Sequence, residues 1–99
     1  MKHEKLSTEA VTSSLAVLDG WKLEDDGLAI AKSFKFKNFG AAFAFMTEVA
    51  KAAERLDHHP EWFNVYNRVD VRLTTHSAGG VTALDFRLAE AMEKAARIH

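Results

Sequence analysis

The 99-residue chain contains no cysteine, which removes disulfide bridges, thiolate metal sites and cysteine nucleophiles together. A reducing compartment is compatible with that. Charge of neither sign is in excess, since 13 Lys and Arg stand against 14 Asp and Glu for a formal net charge of −1, with no basic block. Such a chain lacks the electrostatic footprint of a nucleic-acid or anionic-lipid binder. Long apolar runs are missing too: the longest, Ala41 to Met46, falls far short of the roughly 20 residues a membrane span needs. Met1-Lys2-His3-Glu4-Lys5 leads into no secretory hydrophobic region, so the cytoplasm is the expected compartment. Linkers, repeats and low-complexity stretches are absent, and 47% hydrophobic content over this length fits one domain, 1–99, with one core.

The residues that are present predict seven elements. Ser7 is placed to cap a first helix, with Leu6 stapled onto Val11; Val11, Leu15 and Leu18 recur at helical spacing, and Gly20 supplies a stop. Thr12-Ser13-Ser14 makes that helix weak by propensity. Asp26-Gly27 is a hairpin signal, after which Leu28, Ile30, Phe34 and Phe36 share one parity while Lys35 and Lys37 share the other. Asn38 can cap a long helix whose stripe of Phe39, Ala42, Phe43, Met46, Val49, Ala50, Ala53 and Leu56 is assigned to the core. That helix should end near Asp57 or His58, because Pro60 pushes His59 out of the helical region.

A second strand pair follows, with Phe63, Val65, Val69, Val71 and Leu73 alternating and Asn67-Arg68 as its turn. By that parity Phe63 faces the core, and Trp62 and Tyr66 face away. Ser77-Ala78-Gly79-Gly80 breaks the strand, Thr82 and Asp85 have capping-box spacing, and Leu84, Leu88, Ala91, Met92 and Ala95 line a last helix. The predicted fold is α+β, in the order α-β-β-α-β-β-α, with one antiparallel sheet and the helices on one face.

Three of the five histidines fall in Asp57-His58-His59-Pro60-Glu61-Trp62 and Thr75-His76. Imidazole titrates nearest neutrality, so histidines beside carboxylates and a Pro-aromatic turn suit proton transfer to a small molecule. Helical spacing sets Glu54 one turn above His58 and Arg55 one turn above His59, so the carboxylate and the helix C-terminus are expected to raise the proton affinity of His58. A decorated helix end is the plainer reading of His58 and His59 alone. His76 stands against it, sharing parity with Asp70, Arg72 and Thr74 rather than with the core row. Zinc ligation is disfavoured because adjacent helical histidines diverge by about 100°, whereas zinc-binding helices space their ligands by four. Asp85 has helix capping as its default role.

Asp57-His58-His59-Pro60-Glu61-Trp62-Phe63-Asn64-Val65-Tyr66-Asn67, followed by Val69, Leu73, Thr75 and His76, closely resembles the pterin-4a-carbinolamine dehydratase family. The resemblance extends from Gly20-Trp21 through Phe43, Phe45 and Met46 to Asp85 and Leu88-Ala89. It implies a four-stranded antiparallel sheet with helices on one side, assembly as dimers or tetramers, and loss of water from 4a-hydroxytetrahydropterin with no metal or organic cofactor. It further implies catalytic roles for His58, His59 and His76, and pocket positions at Glu54, Asp57, Pro60, Trp62 and Asp85. Ser77 to Leu84 departs from it, lacking the polar Ser-Glu-Arg run of animal members. The competing reading is a non-catalytic dimerisation or assembly partner, against which stands the retention of all three histidines. A metal-dependent hydrolase ranks below both.

Overall fold

Short polar side chains start all three helices. In the computed structural model, which describes residues 3–99, Ser7 accepts the Ala10 N–H ahead of α1 (Thr8–Leu15), and Asn38 accepts the Ala41 N–H ahead of α2 (Phe39–Leu56). Thr82 and Asp85 close a reciprocal capping box on α3 (Ala83–Ile98). Each cap satisfies amides that a first helical turn leaves without intrahelical partners. The first helix stops at Leu15, earlier than the expected Gly20; turns cover the remainder, from which Leu18 still packs on the core.

Strands β1 (Lys22–Leu23), β2 (Ile30–Lys35), β3 (Glu61–Val65) and β4 (Arg68–Leu73) form one antiparallel sheet in the order β1-β2-β4-β3. The predicted α-β-β-α-β-β-α order therefore holds, with a 3-10 turn at His76–Ala78 before α3. Ile30 pairs with Leu73 and Phe34 with Val69, so the apolar rows of β2 and β4 merge into one surface. Val11, Ala42, Phe45, Val49, Leu88 and Met92 bring all three helices onto it. The Phe45 ring lies 4.9 Å from both Phe34 and Phe36, and Trp21 meets Phe34 edge-on at 5.9 Å. No described helix is long and apolar enough to cross a membrane.

Two phases differ from expectation. The β3–β4 turn is Tyr66-Asn67, with Tyr66 at φ +48°, and not Asn67-Arg68. Across a two-residue turn, wherever it is centred, odd-numbered positions of one strand pair with even-numbered positions of the other, so the core parity of β4 does not carry through to β3. Trp62, paired with Val71, accordingly packs against the core, while Phe63 and Val65 are exposed on the open face beside Asp70 and Arg68. In α2, Phe39 and Phe43 are about half exposed and Ala50 is exposed, whereas Phe45, absent from the predicted stripe, is fully buried. Ala41 to Met46 is apolar at every position, so its periodicity carries no phase. The core row is instead Ala42, Phe45, Val49, Ala52 and Ala53.

Lys32 is a charge among the apolar residues of β2. Its ammonium pairs with Glu93 of α3 at 2.6 Å and donates to the Asp19 carbonyl at 2.9 Å, and Trp21 Nε1 donates to the same Glu93 oxygen at 2.8 Å. It also lies 4.7 Å from the Phe34 ring centroid, within cation–π range. The inward lysine thus ties α3 to the loop ahead of β1.

Candidate active site

The antiparallel pairing of Glu61 with Arg72 brings the segment entering β3 and the segment leaving β4 to the same end of the sheet. The first carries His58, His59 and Pro60, and the second Thr74, Thr75 and His76. Asp85 reaches them from the N-terminal turn of α3.

The end of α2 decides where the two adjacent histidines go. Asp57 takes the left-handed conformation at φ +51°, its N–H bonding to the Glu54 carbonyl, and the His58 N–H bonds to the Ala53 carbonyl. These are the two bonds of a Schellman motif, which reverses the chain and turns His58 inward. Aspartate is among the few residues that tolerate this region, although glycine fits it best. Asp57→Gly is therefore expected to keep or raise stability, and Asp57→Ala to lose about 1 kcal/mol. Urea denaturation checks both; a loss of dehydration rate common to the two variants then belongs to the carboxylate.

The helix reversal changes the expected partners. His58 is buried and its Nε2 lies 2.5 Å from Asp85 Oδ1, so the carboxylate beside it belongs to Asp85 and not to Glu54. Glu54 instead reaches His59, whose Nε2 is 2.6 Å from Glu54 Oε2 on the exposed surface. His76 is exposed, as its parity predicts, with Nε2 2.8 Å from Glu61 Oε2. Each of the three histidines thus has its own carboxylate. Pro60 is half-buried between His59 and Glu61, Asp57 is exposed, and Trp62 is half-buried on the core side rather than on the open face. Asp85 performs its capping role and holds His58 as well.

The sequence reading missed Glu61 as a site residue. Its second oxygen accepts from Arg72 Nη1 at 3.0 Å, and Arg72 Nε donates to Glu24 at 2.7 Å. The hydrogen bond from His76 is the main cause holding the Glu61 carboxyl below its ordinary value; desolvation comes next and opposes it, and the hydrogen bond and charge of Arg72 add to the lowering. Arg72 is correspondingly raised, first by its hydrogen bond to Glu24. A depressed carboxylate contributes stability that is fully present above its unfolded value and is lost as pH falls through the folded one. Glu61→Gln is expected to remove that part of the acid destabilisation, seen as a shallower fall of the melting temperature below about pH 5. The Glu61–Arg72 pairing was within reach of sequence reasoning, given the correct β3 register.

A recess of about 200 Å³ opens beside His76, lined by Leu28, Arg72, Thr74, His76, Gly79 and Gly80. That is less than the roughly 300–1,000 Å³ of small-molecule sites, so it accommodates part of a ligand. A larger groove of about 500 Å³, lined by Lys22, Ala31, Ser33 and Asp70 among others, contains none of the histidines. Among the described residues, no three His, Asp or Glu side chains are arranged to hold a metal ion. What the three pairs offer is imidazole in two settings, one buried and fixed, two open to solvent and positioned by carboxylates, which is equipment for accepting and donating protons.

The model of the family described as pterin 4 alpha carbinolamine dehydratase matches residues 4–95. A Rhizobium johnstonii protein named "Putative pterin-4-alpha-carbinolamine dehydratase" is 64% identical over 96 residues, covering 97% of this chain and 95% of that one. A Mesorhizobium japonicum protein of the same name is 61% identical over 92 residues, covering 93% and 94%. The crystal structure of a transcriptional coactivator/pterin dehydratase from Brucella melitensis superposes with a TM-score of 0.92 at 53% identity, covering 94% of this chain and 99% of that one. With sequence match and fold agreeing over almost its whole length, the chain belongs to the pterin 4 alpha carbinolamine dehydratase family.

Proposed function

We propose that this protein removes water from 4a-hydroxytetrahydropterin to give quinonoid dihydropterin, by histidine acid-base catalysis and without a cofactor, in the recycling of tetrahydropterin. The observation that carries the reading is the set of three histidine–carboxylate pairs gathered at one end of the sheet. In the reaction an acid protonates the departing 4a-hydroxyl and the C4a–O bond breaks. The N5 lone pair forms the C4a=N5 double bond, and a base takes the N5 proton. One water leaves, and no electrons are gained or lost.

Two groups titrating near neutrality serve both transfers. His59 and His76, the two exposed imidazoles, act as acid and base on either side of C4a. His58, held by Asp85, binds the pterin and keeps the hydroxyl or a water in place. Glu54 orients His59, and Asp57, Pro60 and Trp62 contribute to pterin binding. A stopped-flow measurement of 4a-hydroxytetrahydropterin loss tests the proposal. The protein should accelerate it, before and after exhaustive chelation; an unchanged rate with protein present overturns the assignment.

A second role as an assembly partner is favoured by surface chemistry. Phe39 and Phe43, their rings 5.7 Å apart, are exposed on α2, and Phe63, Val65 and Tyr66 are exposed on and beside edge strand β3. The Brucella melitensis neighbour is described as both coactivator and dehydratase. Light scattering should give a homodimer or homotetramer; a monomer at tens of micromolar would contradict this role.

A further inference from the structure

The Asp85 carboxylate draws its donors from separate stretches of chain. Oδ1 faces His58 Nε2 at 2.5 Å, while Oδ2 accepts the Thr82 N–H and the Thr75 hydroxyl, each at 2.9 Å. Thr75 Oγ1 also lies 2.8 Å from Thr82 Oγ1, which in turn accepts the Leu84 N–H at 3.2 Å. A hydroxyl has one proton to give. That of Thr75 goes to the carboxylate, so Thr82 donates to Thr75, and a single proton ordering satisfies every group. With Asp85 accepting throughout, His58 carries its proton on Nε2, leaving Nδ1 as the acceptor of the neutral ring. All four side chains are buried.

Thr75 has a second attachment through its backbone. Its N–H donates to the Gly80 carbonyl at 2.9 Å, and its carbonyl accepts from the Ala78 and Gly79 N–H groups at 3.0 Å each, closing the turn that carries His76. One residue therefore grips the buried pair with its side chain and the exposed histidine's turn with its main chain.

We propose that Thr75 is the positioning residue of this site, its hydroxyl fixing the Asp85 carboxylate and the His58 ring while its backbone anchors the His76 turn to the same point. The inference rests on the histidine reading above. Without the hydroxyl, Asp85 Oδ2 loses a donor and the buried Thr82 hydroxyl loses its acceptor, and the carboxylate gains freedom to rotate away from His58.

The test compares Thr75→Val, which keeps the shape, with Thr75→Ser, which keeps the hydroxyl. Two readouts are taken: kcat and KM for 4a-hydroxytetrahydropterin, and the ¹⁵N NMR signature of the His58 ring, which reports its tautomer without requiring turnover. Thr75→Val should lower kcat by about 10- to 100-fold with KM little changed. It should also disturb the Nε2–H signature, and Thr75→Ser should restore both. Should the valine variant not fold, Thr75→Ala takes its place. An unchanged His58 spectrum in the variant lacking the hydroxyl overturns the proposal whether or not the protein dehydrates pterins. A kcat loss that serine fails to restore overturns it as well.

Discussion

Replacing His59 or His76 with alanine is expected to lower kcat for pterin dehydration by about 10²–10⁴-fold, the range ascribed to a positioned general acid or base. Neither change should unfold the protein. The His59 side chain is 60% exposed and that of His76 81% exposed, and substitutions at such positions shift stability by roughly 0.5 kcal/mol or less. Loss of activity with an unchanged melting curve would assign the effect to chemistry. His58→Ala differs in kind, because it leaves Asp85 Oδ1 buried without a partner and should lower stability along with rate. Stopped-flow rates and thermal melts on the same three preparations check the contrast; a wild-type rate for either exposed variant removes that residue from the mechanism.

Asp85→Ala carries the largest expected stability cost. Three functions end together: the Asp85 half of the α3 capping box, which accepts the Thr82 N–H, the acceptor for the Thr75 hydroxyl, and the partner of His58. A lost cap costs about 1 kcal/mol, and each buried donor left unsatisfied costs about 1–3 kcal/mol. Partial relaxation offsets some of this, so a loss of about 3–5 kcal/mol is expected by urea denaturation, enough to unfold a marginal domain. Asp85→Asn is the gentler probe. Its amide keeps one acceptor oxygen but presents an NH₂ group where one donor had faced the carboxylate. If the oxygen stays with Thr75 and Thr82, the NH₂ donates to His58 Nε2 and forces the other tautomer. Such a protein should remain folded and be slow. A fully active Asp85→Asn variant would mean that the orientation of His58 does not matter to turnover.

Much of this fold could be read from local chemistry. Ser7, Asn38 and the Thr82/Asp85 pair mark helix starts because each bonds amides only two or three residues away, and Pro60 marks the end of α2 for an equally local reason. What eluded the sequence were phases and distant partners. The β3 face was lost because a two-residue turn pairs odd-numbered positions with even-numbered ones, so one parity cannot run through both strands, and the turn's place was hidden because a tyrosine at φ +48° is a poor candidate by propensity. The α2 face was hidden by six consecutive apolar residues, for which every rotation about the helix axis looks alike.

The site followed the same division. The three histidines were singled out from the sequence, as were Glu54, Asp57 and Asp85, whereas Glu61 was not. The pairing of the histidines was not legible, because the left-handed Asp57 takes His58 off the helical face that Glu54 shares and leaves Glu54 to His59. His58 finds its partner 27 residues downstream, a contact that the packing of α3 against α2 creates.

The most direct test of the account is the rate of 4a-hydroxytetrahydropterin loss measured side by side for buffer, wild type and the folded His59→Ala/His76→Ala double variant. Proton transfer by the two exposed imidazoles predicts a fast wild-type phase that falls in the double variant to the buffer rate or close to it. A double variant as fast as wild type, with its fold intact, would contradict the central claim.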